Sequence, residues 1–337
     1  MEGESIVSKP RLLFVWSAAD FSTWDLSRGY RNALIRRDTF EVFDYKLSQR
    51  MKYHAAALGE DRAANLDLLS RMASENIVVE ALKRKVSFVF IISGMALHPD
   101  AIWYLRQVGI PAVTLFTESP YQDEEQRAFH AVYPEMRCLT TERTSAGKGW
   151  SYVAHAYDPL IHHPVDDTKA PSCDVLLIGT FWPERIALLE QVDWTGIDLR
   201  LAGTWIAPPT PDESPIGRYF EDGCIHNVEA VKHYAAAKIC LNPHRAHPQA
   251  ESLNPRAYEL AACHAFQLTD QRAEVMDVFG HNGTSSVATY ATAEQLEHQI
   301  RHWLPRDEER AEWARQASER VAPCTFDERL TTLLSQL

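Results

Sequence analysis

Short apolar runs alternate with stretches of helical periodicity along most of the chain. Arg11–Trp16, Val86–Ser93 and Pro111–Phe116 have the length of strands, and small or polar residues follow each of them. Helical patterns lie between these runs, for example at 24–37 and 61–85. Strands that are apolar throughout and alternate with helices are typical of a parallel sheet covered on both faces. The pattern therefore predicts an α/β fold with a doubly wound parallel sheet.

The alternation stops once and then restarts, which predicts two domains. Residues 157–172 contain three prolines and a charge cluster without periodicity, as linkers do. A chain of 337 residues also exceeds what one core usually holds. We predict an N-terminal Rossmann-like domain, a linker, a C-terminal Rossmann-like domain and a final helix, at 1–156, 157–172, 173–322 and 323–337.

Composition and charge narrow the classes of function. A formal net charge of −12 argues against a general nucleic-acid binder, which needs a surface that neutralises phosphates. The N-terminus has no signal-peptide pattern, and the most apolar run, Val86–Leu97, is too short to span a bilayer. The six cysteines form no C-x-x-C pair, which favours reduced thiols. We expect a cytoplasmic protein without membrane insertion.

The stretch ESLNPRAYELAACHAFQLTD, at 251–270, carries the most chemical information. It is predicted to form a loop, a helix, a turn and a strand. Asn254 and the proline after it set the helix start. Arg256 and Glu259 then lie on one helical face, and Glu251 and Glu259 form an E-x7-E pattern. Because a helix N-terminus has free N–H groups and a positive dipole end, this start suits a phosphate.

This stretch resembles the E-x7-E motif of retaining, family 4 glycosyltransferases, and its full string is similar to the CgeB (spore-maturation protein) group of glycosyltransferases. The similarity extends to TESPYQDEEQ (117–126), VAHAYDP (153–159), VLLIGTFWPERIALL (175–189) and AAAKICLNPHR (235–245). The resemblance implies a GT-B fold, with two Rossmann-like domains, a cleft between them and a last helix that crosses back to the first domain. One departure is His264, where the group usually has glycine; we expect it to narrow the pocket or contact a ligand.

The resemblance also implies roles for residues in the C-terminal half. Glu259 would accept hydrogen bonds from the ribose hydroxyls of a nucleotide-sugar donor, since two vicinal hydroxyls suit a carboxylate. Glu251 would lie beside the donor sugar, and Asn254 would start the helix that holds the donor.

Three arginines, Arg185, Arg245 and Arg256, are candidates for contacts to the donor diphosphate. The guanidinium fork matches phosphate geometry, and the charge that grows on the leaving diphosphate must be stabilised. His244 flanks Arg245 and could also donate to phosphate, although a plain loop role is equally compatible with the sequence.

Metal ligands are poorly represented. The chain has no D-x-D, H-E-x-x-H or C-x-x-C motif, so we expect no metal site. His162 and His163 lie in the predicted linker, where we expect them to be solvated.

Three residues of the first domain are candidates for the base that accepts a proton from the acceptor hydroxyl. Asp20, His98 and Glu118 follow predicted strands, and ligands gather at the carboxyl edge of such sheets. Glu118 ranks first, because it lies in a segment that resembles the CgeB group.

The resemblance thus implies a hexosyl- or pentosyltransferase that moves a sugar from a UDP- or GDP-linked donor to a hydroxyl, with retention of configuration and without metal or other cofactor. The acceptor stays open among a glycan, a protein, a small molecule and a modified DNA base. A nucleotide-sugar epimerase of GT-B fold and a non-catalytic nucleotide-sugar-binding protein are the alternatives. A dehydrogenase is disfavoured, because no G-x-G-x-x-G follows a predicted strand.

Overall fold

A computed structural model describes six ranges of the chain: residues 9–18, 23–59, 65–166, 169–206, 208–223 and 225–334. The chain divides into two compact units. The first ends at Val153 and also takes in the residues from Leu330 onward. The second comprises Ala154–Arg329 and therefore contains the segment predicted as a linker.

The first unit is built on a six-stranded parallel sheet with the order β2-β1-β3-β4-β5-β6. Its strands are β1 (Arg11–Trp16), β2 (Glu41–Lys46), β3 (Phe88–Ile92), β4 (Ala112–Phe116), β5 (Arg137–Thr140) and β6 (Trp150–Tyr152). Because β2 and β3 lie on opposite sides of β1, the order reverses between β1 and β3. The carboxyl edge at such a reversal is where ligands bind in open α/β sheets.

Helices cover both faces of this first sheet. They are α1 (Trp24–Arg37), α2 (Leu47–Leu58), α3 (Leu66–Arg84), α4 (Pro99–Gln107) and α5 (Asp123–Val132). Leu13 and Val15 of β1 face a core shared with α3 and α4. Phe14 points to the opposite face, where Phe90 contacts Phe14 and the Tyr30 ring of α1. The period of two along an all-apolar strand therefore supplies both cores.

The second unit repeats the plan with the order β14-β11-β10-β7-β8-β9, all parallel. Its strands are β7 (Cys173–Phe181), β8 (Leu199–Trp205), β9 (Phe220–Asp222), β10 (Ala237–Asn242), β11 (Gln267–Asp270) and β14 (Ala288–Tyr290), and a small antiparallel hairpin is formed by β12 (Gly280–His281) and β13 (Thr284–Ser285). Here the order reverses between β7 and β10.

The helices of the second unit again pack on both faces. They are α6 (Pro183–Glu190), α7 (Asn227–Ala236), α8 (Pro255–Ala262), α9 (Ala273–Phe279), α10 (Ala293–Trp303), α11 (Asp307–Val321) and α12 (Phe326–Leu334). Leu177 of β7 packs towards α6 and α10, whereas Leu176 packs towards α7 and α8. The residues of α12 from Leu330 onward belong to the first unit, where Thr331 accepts a hydrogen bond from Arg37 at 2.7 Å.

The structure confirms the predicted strand and helix alternation, with boundary shifts of a few residues. It adds α2, α5 and α9 and the short strands β9 and β14, which the apolar pattern did not indicate.

The expectation that His162 is solvated was wrong. Its exposed fraction is 3%, and Ile161 and Val165 beside it pack against the α7–α8 core. The reason is a long-range pairing: the backbone of Tyr157 accepts from Phe326 and donates to Cys324, which draws the segment into the second unit.

Two further observations concern the chain as a whole. No described helix has the length and apolar character needed to cross a membrane. The five described cysteines are free, and Cys224 lies outside the described residues.

His264 ends helix α8 and does not lie near its N-terminus. It has a φ of 56° and is exposed, and its N–H donates to the Ala261 carbonyl at 3.1 Å. The eight residues of α8 place it about 12 Å along the axis from the helix start. The left-handed φ of His264 is a conformation that glycine adopts without a Cβ penalty, and the expectation that His264 narrows the pocket or contacts a ligand stays a prediction.

Replacing His264 by glycine should stabilise the second unit. A left-handed φ costs a side chain with a Cβ more than glycine, so we expect His264→Gly to raise the unfolding free energy by about 0.5–1 kcal/mol. His298, an exposed histidine inside α10, is the matched control, because glycine there should lower stability by about 0.3–0.5 kcal/mol. Thermal unfolding of both variants checks this, and a destabilised His264→Gly would contradict it.

Candidate functional site

The carboxyl edge of the second sheet, at the reversal between β7 and β10, holds a buried guanidinium. Arg185, in the first turn of α6, donates from Nη1 to the Thr180 carbonyl at 2.6 Å and from Nη2 to the Pro243 carbonyl. Its Nε is buried without a hydrogen-bond partner among the described residues. The side chain thus spans the ends of β7 and β10, and its hydrogen bonds go to neutral carbonyls.

The electrostatics of Arg185 indicate a place for an anion. The pKa of its guanidinium is lowered to about 10, mainly by burial; Arg256 acts in the same direction, while Tyr290, Asp270 and Glu184 oppose it. Within the described chain no carboxylate pairs with it at ion-pair distance. Because buried charges are normally paired, Arg185 is a charge whose partner an anionic ligand would supply.

Two glycines make room for this arrangement. Gly179 of β7 pairs in register with Gly203 of β8. A Cβ on Gly203 would lie 1.9 Å from the Gly179 carbonyl oxygen, and one on Gly179 would lie 3.1 Å from Nη1 of Arg185. The side-chain-free strand ends therefore let Arg185 fold back over the sheet edge.

A histidine–aspartate–arginine group fixes the loop after β10. Nε2 of His244 accepts from the Asn254 N–H at 3.0 Å, so the neutral ring carries its hydrogen on Nδ1, which donates to Asp270 at 2.6 Å. The other carboxylate oxygen of Asp270 accepts from Nε of Arg272 at 2.7 Å. Arg272 also donates to the carbonyls of Ala250 and Arg245.

Burial alone would raise the pKa of Asp270, but His244 and Arg272 hold it well below its usual range. Both ring nitrogens of His244 are occupied, so this side chain positions the loop and is not available to contact phosphate. That corrects the hypothesis that His244 donates to a ligand. Asp270 ends β11 directly beside β10, and the carboxyl-edge rule could have identified it from the sequence.

Asn254 forms the start of α8 as predicted. Its side-chain oxygen accepts from the Ala257 N–H at 3.1 Å, and its side chain exchanges two hydrogen bonds with that of Asn242, at 2.8 and 3.1 Å. This pair ties the helix start to the end of β10.

Glu259 lies about two turns into α8 within a buried polar cluster. Its Oε2 lies 3.2 Å from Nε of Arg256, and its Oε1 accepts from the Asn227 side chain at 3.3 Å. Arg256 also donates to the hydroxyl of Tyr234 in α7. Arg256 therefore joins Glu259 on one side and repels Arg185 on the other, so the three predicted residues share one region.

The remaining candidates of this unit lie in the loop between β10 and α8. The guanidinium carbon of Arg245 lies 4.4 Å from the centre of the Trp182 ring, which precedes α6. Glu251 is exposed, and its carbonyl accepts from the Glu274 N–H at 3.3 Å.

The candidates of the first unit lie at the carboxyl edge of its own sheet. Glu118 follows β4, and Thr117 donates to its carboxylate at 3.2 Å. His98 caps α4: its Nδ1 accepts from the Asp100 N–H at 3.1 Å, which leaves Nδ1 unavailable as a base. Asp20 lies outside the described residues.

Comparison with known proteins adds a family to this geometry. Residues 161–335, just over half of the chain, match the family model described as "Glycosyl transferase-like". The chain belongs to this family.

Among described side chains, no group of three or more histidines, cysteines or acids could hold a metal ion.

Individual relatives agree with this family and with the GT-B fold. Spore protein CgeB of Bacillus subtilis (strain 168) is 23% identical over 261 residues, which cover 72% of this chain and 80% of that protein. Sucrose-phosphate synthase from Thermosynechococcus elongatus has a TM-score of 0.67 at 14% identity and covers 97% of this chain and 99% of its own. HepE from Anabaena, solved with UDP and glucose, has a TM-score of 0.64 at 11% identity, and the match covers 97% of this chain and 100% of the HepE chain. The predicted CgeB-like resemblance and GT-B fold class are confirmed.

The Asp270 ion pairs predict a pH dependence of stability. Because the pKa of Asp270 is lower folded than unfolded, its contribution is complete above about pH 4 and is lost as the pH falls towards its folded pKa. Above pH 5, Asp270→Asn should lower the unfolding free energy by about 2–4 kcal/mol, since it leaves His244 and Arg272 without their partner.

Denaturant unfolding from pH 7 to pH 3 measures this effect. The difference between wild type and Asp270→Asn should shrink below pH 4, whereas the exposed Asp212→Asn should match wild type throughout. A difference that stays constant down to pH 3 would show that the carboxylate charge is not involved.

Proposed function

We propose that this protein transfers a hexosyl or pentosyl group from a nucleoside-diphosphate sugar to an acceptor hydroxyl, with retention of configuration and without a metal ion. The observation that carries the proposal is Arg185, a buried guanidinium without a carboxylate partner at the sheet reversal of the second unit. A diphosphate is the ligand that would match it. UDP-linked sugars are the first donors to test, because the similar HepE structure holds UDP.

The diphosphate is the part of the donor on which charge develops. As the bond between the anomeric carbon and the phosphate oxygen breaks, the electron pair leaves with the nucleoside diphosphate. Arg185 and Arg256 would stabilise that charge from fixed positions, as preorganised donors do. This is the role that Mg²⁺ has in enzymes that hold the diphosphate with paired carboxylates, and it supports a metal-independent reaction.

Glu259 would select the nucleotide. Each of its oxygens has one protein partner, in Asn227 or Arg256, so the carboxylate keeps lone pairs for further donors, and a ribose hydroxyl would be one of them. Arg245, stacked on Trp182, would add a second phosphate contact, and the exposed Glu251 would lie beside the donor sugar.

The acceptor hydroxyl attacks the anomeric carbon and gives up its proton as the new bond forms. Glu118 is our first candidate for the base, since Nδ1 of His98 is already occupied. Glycan, protein, small-molecule and modified-base acceptors all remain compatible with this chemistry.

Release of nucleoside diphosphate from a panel of UDP- and GDP-sugars tests the proposal, with EDTA present throughout. We expect Arg185→Gln to lower the rate by about 100-fold or more, because it removes a charge that acts on the leaving group. Arg185→Lys keeps the positive charge but lacks the guanidinium fork, so its rate should lie between those of wild type and Arg185→Gln. Arg218→Gln, an exposed arginine of the same unit, is the matched control and should behave as wild type.

The products decide between the alternatives. Label that moves from the donor to water or an acceptor supports transfer, an isomerised free donor would mean an epimerase, and binding without turnover would mean a non-catalytic protein. Equal rates in wild type and a folded Arg185→Gln would remove Arg185 from the reaction. A rate lost in EDTA and restored by Mg²⁺ would contradict the metal-independent mechanism.

A further inference from the structure

A buried histidine lies behind Glu259, on a segment that the proposed transfer reaction does not use. His162 has an exposed fraction of 3%, and its Nε2 lies 3.9 Å from Oε1 of Glu259. Nε2 is fully buried and has no hydrogen-bond partner among the described residues. A buried ring N–H without a hydrogen-bond partner costs folding free energy. Because Nε2 lies close to a carboxylate oxygen, that oxygen is a candidate acceptor for it.

The hydrogen position on this ring follows from its other nitrogen. Nδ1 of His162 accepts from the Asp158 N–H at 3.2 Å, so the neutral ring carries its hydrogen on Nε2, the atom that faces Glu259. Burial lowers the pKa of His162, and Arg256 acts in the same direction, while Glu259 and Asp158 oppose them. The ring is therefore neutral at physiological pH and offers one donor.

The surroundings of Glu259 leave His162 a distinct position. Arg256 occupies Oε2, and Asn227 reaches Oε1 at 3.3 Å from the start of α7. His162 approaches the same Oε1 from the segment before β7. A movement of a few tenths of an ångström to one ångström would bring its Nε2–H within hydrogen-bond distance.

We propose that His162 is a positioning residue for Glu259: its Nε2–H holds Oε1 from the protein interior together with Asn227, so that Oε2, which keeps a lone pair beside Arg256, faces a ribose hydroxyl of the donor. The inference rests on the proposed role of Glu259 in nucleotide binding. It assigns a function to a segment whose composition resembles a linker. Ribose recognition then depends on a residue that does not contact the ligand.

Two substitutions test the roles of the two ring nitrogens of His162 separately. His162→Gln keeps an amide N–H near the position of Nε2, whereas His162→Asn keeps an acceptor for the Asp158 N–H but does not extend to Glu259. Both are polar, but Asn is one methylene smaller, so thermal unfolding of both variants separates a loss of packing from the loss of the Nε2 donor. The readout is the ratio of affinities for UDP and 2′-deoxy-UDP, measured by calorimetry, since a purely structural role would not change this ratio selectively.

Wild type should prefer UDP, and Glu259→Gln should lose that preference by about tenfold or more. His162→Asn should lower the ratio by about 3–10-fold, while His162→Gln retains it. In a Glu259→Gln background, His162→Asn should have no further effect on the ratio.

Failure of the inference differs from failure of the proposed function. If Glu259→Gln loses discrimination but a folded His162→Asn retains it, His162 does not position Glu259. If wild type binds both nucleotides equally, the proposed role of Glu259 is wrong and the inference about His162 is wrong with it.

¹⁵N NMR of the histidine rings is a check that needs no ligand. The signal of His162 is identified by its absence in His162→Gln, and it should show protonation on Nε2 at pH 7. A ring protonated on Nδ1 would overturn the inference.

Discussion

The structure of the second unit depends on a buried positive charge, Arg185, that is hydrogen-bonded to backbone carbonyls and has no carboxylate at ion-pair distance among the described residues. Arg185 can lie over the ends of β7 and β10 because glycine occupies positions 179 and 203, where a side chain would meet the guanidinium or the neighbouring strand. Burial of a guanidinium without a directly paired carboxylate is unfavourable. In the proposed function a bound diphosphate would supply that partner, so the local cost of this arrangement would be linked to ligand affinity.

The polar groups around Arg185 keep this edge rigid. His244, Asp270 and Arg272 connect the loop after β10 to the end of β11, and Asn242 and Asn254 connect the same loop to the start of α8. A fixed loop lets Arg256 and Glu259 occupy defined positions along α8. Such preorganisation is what transfer chemistry requires, because charge on the leaving group must be met without rearrangement.

The sequence predicted the architecture well because both faces of each central strand are buried, which leaves continuous apolar runs such as Leu12–Val15. It missed the edge strands β9 and β14, which are only three residues long, and α2, which buries little of its surface. Arg185, Arg256 and Glu259, which the motif and the strand pattern singled out, lie in one region of the structure, and their roles in donor binding stay predictions. His162 was missed because its burial depends on a pairing between Tyr157 and Cys324, residues far apart in sequence.

The central claim is that the second sheet binds the donor nucleotide at its reversal, and hydrogen exchange with and without UDP tests it most directly. We expect protection of the segments around 179–190 and 242–262, which contain Arg185 and the start of α8. Arg185→Gln should remove that protection while the exchange of β1 and β3 stays unchanged. Protection confined to residues 9–153 would contradict the claim and remove Arg185, Arg256 and Glu259 from the donor site together.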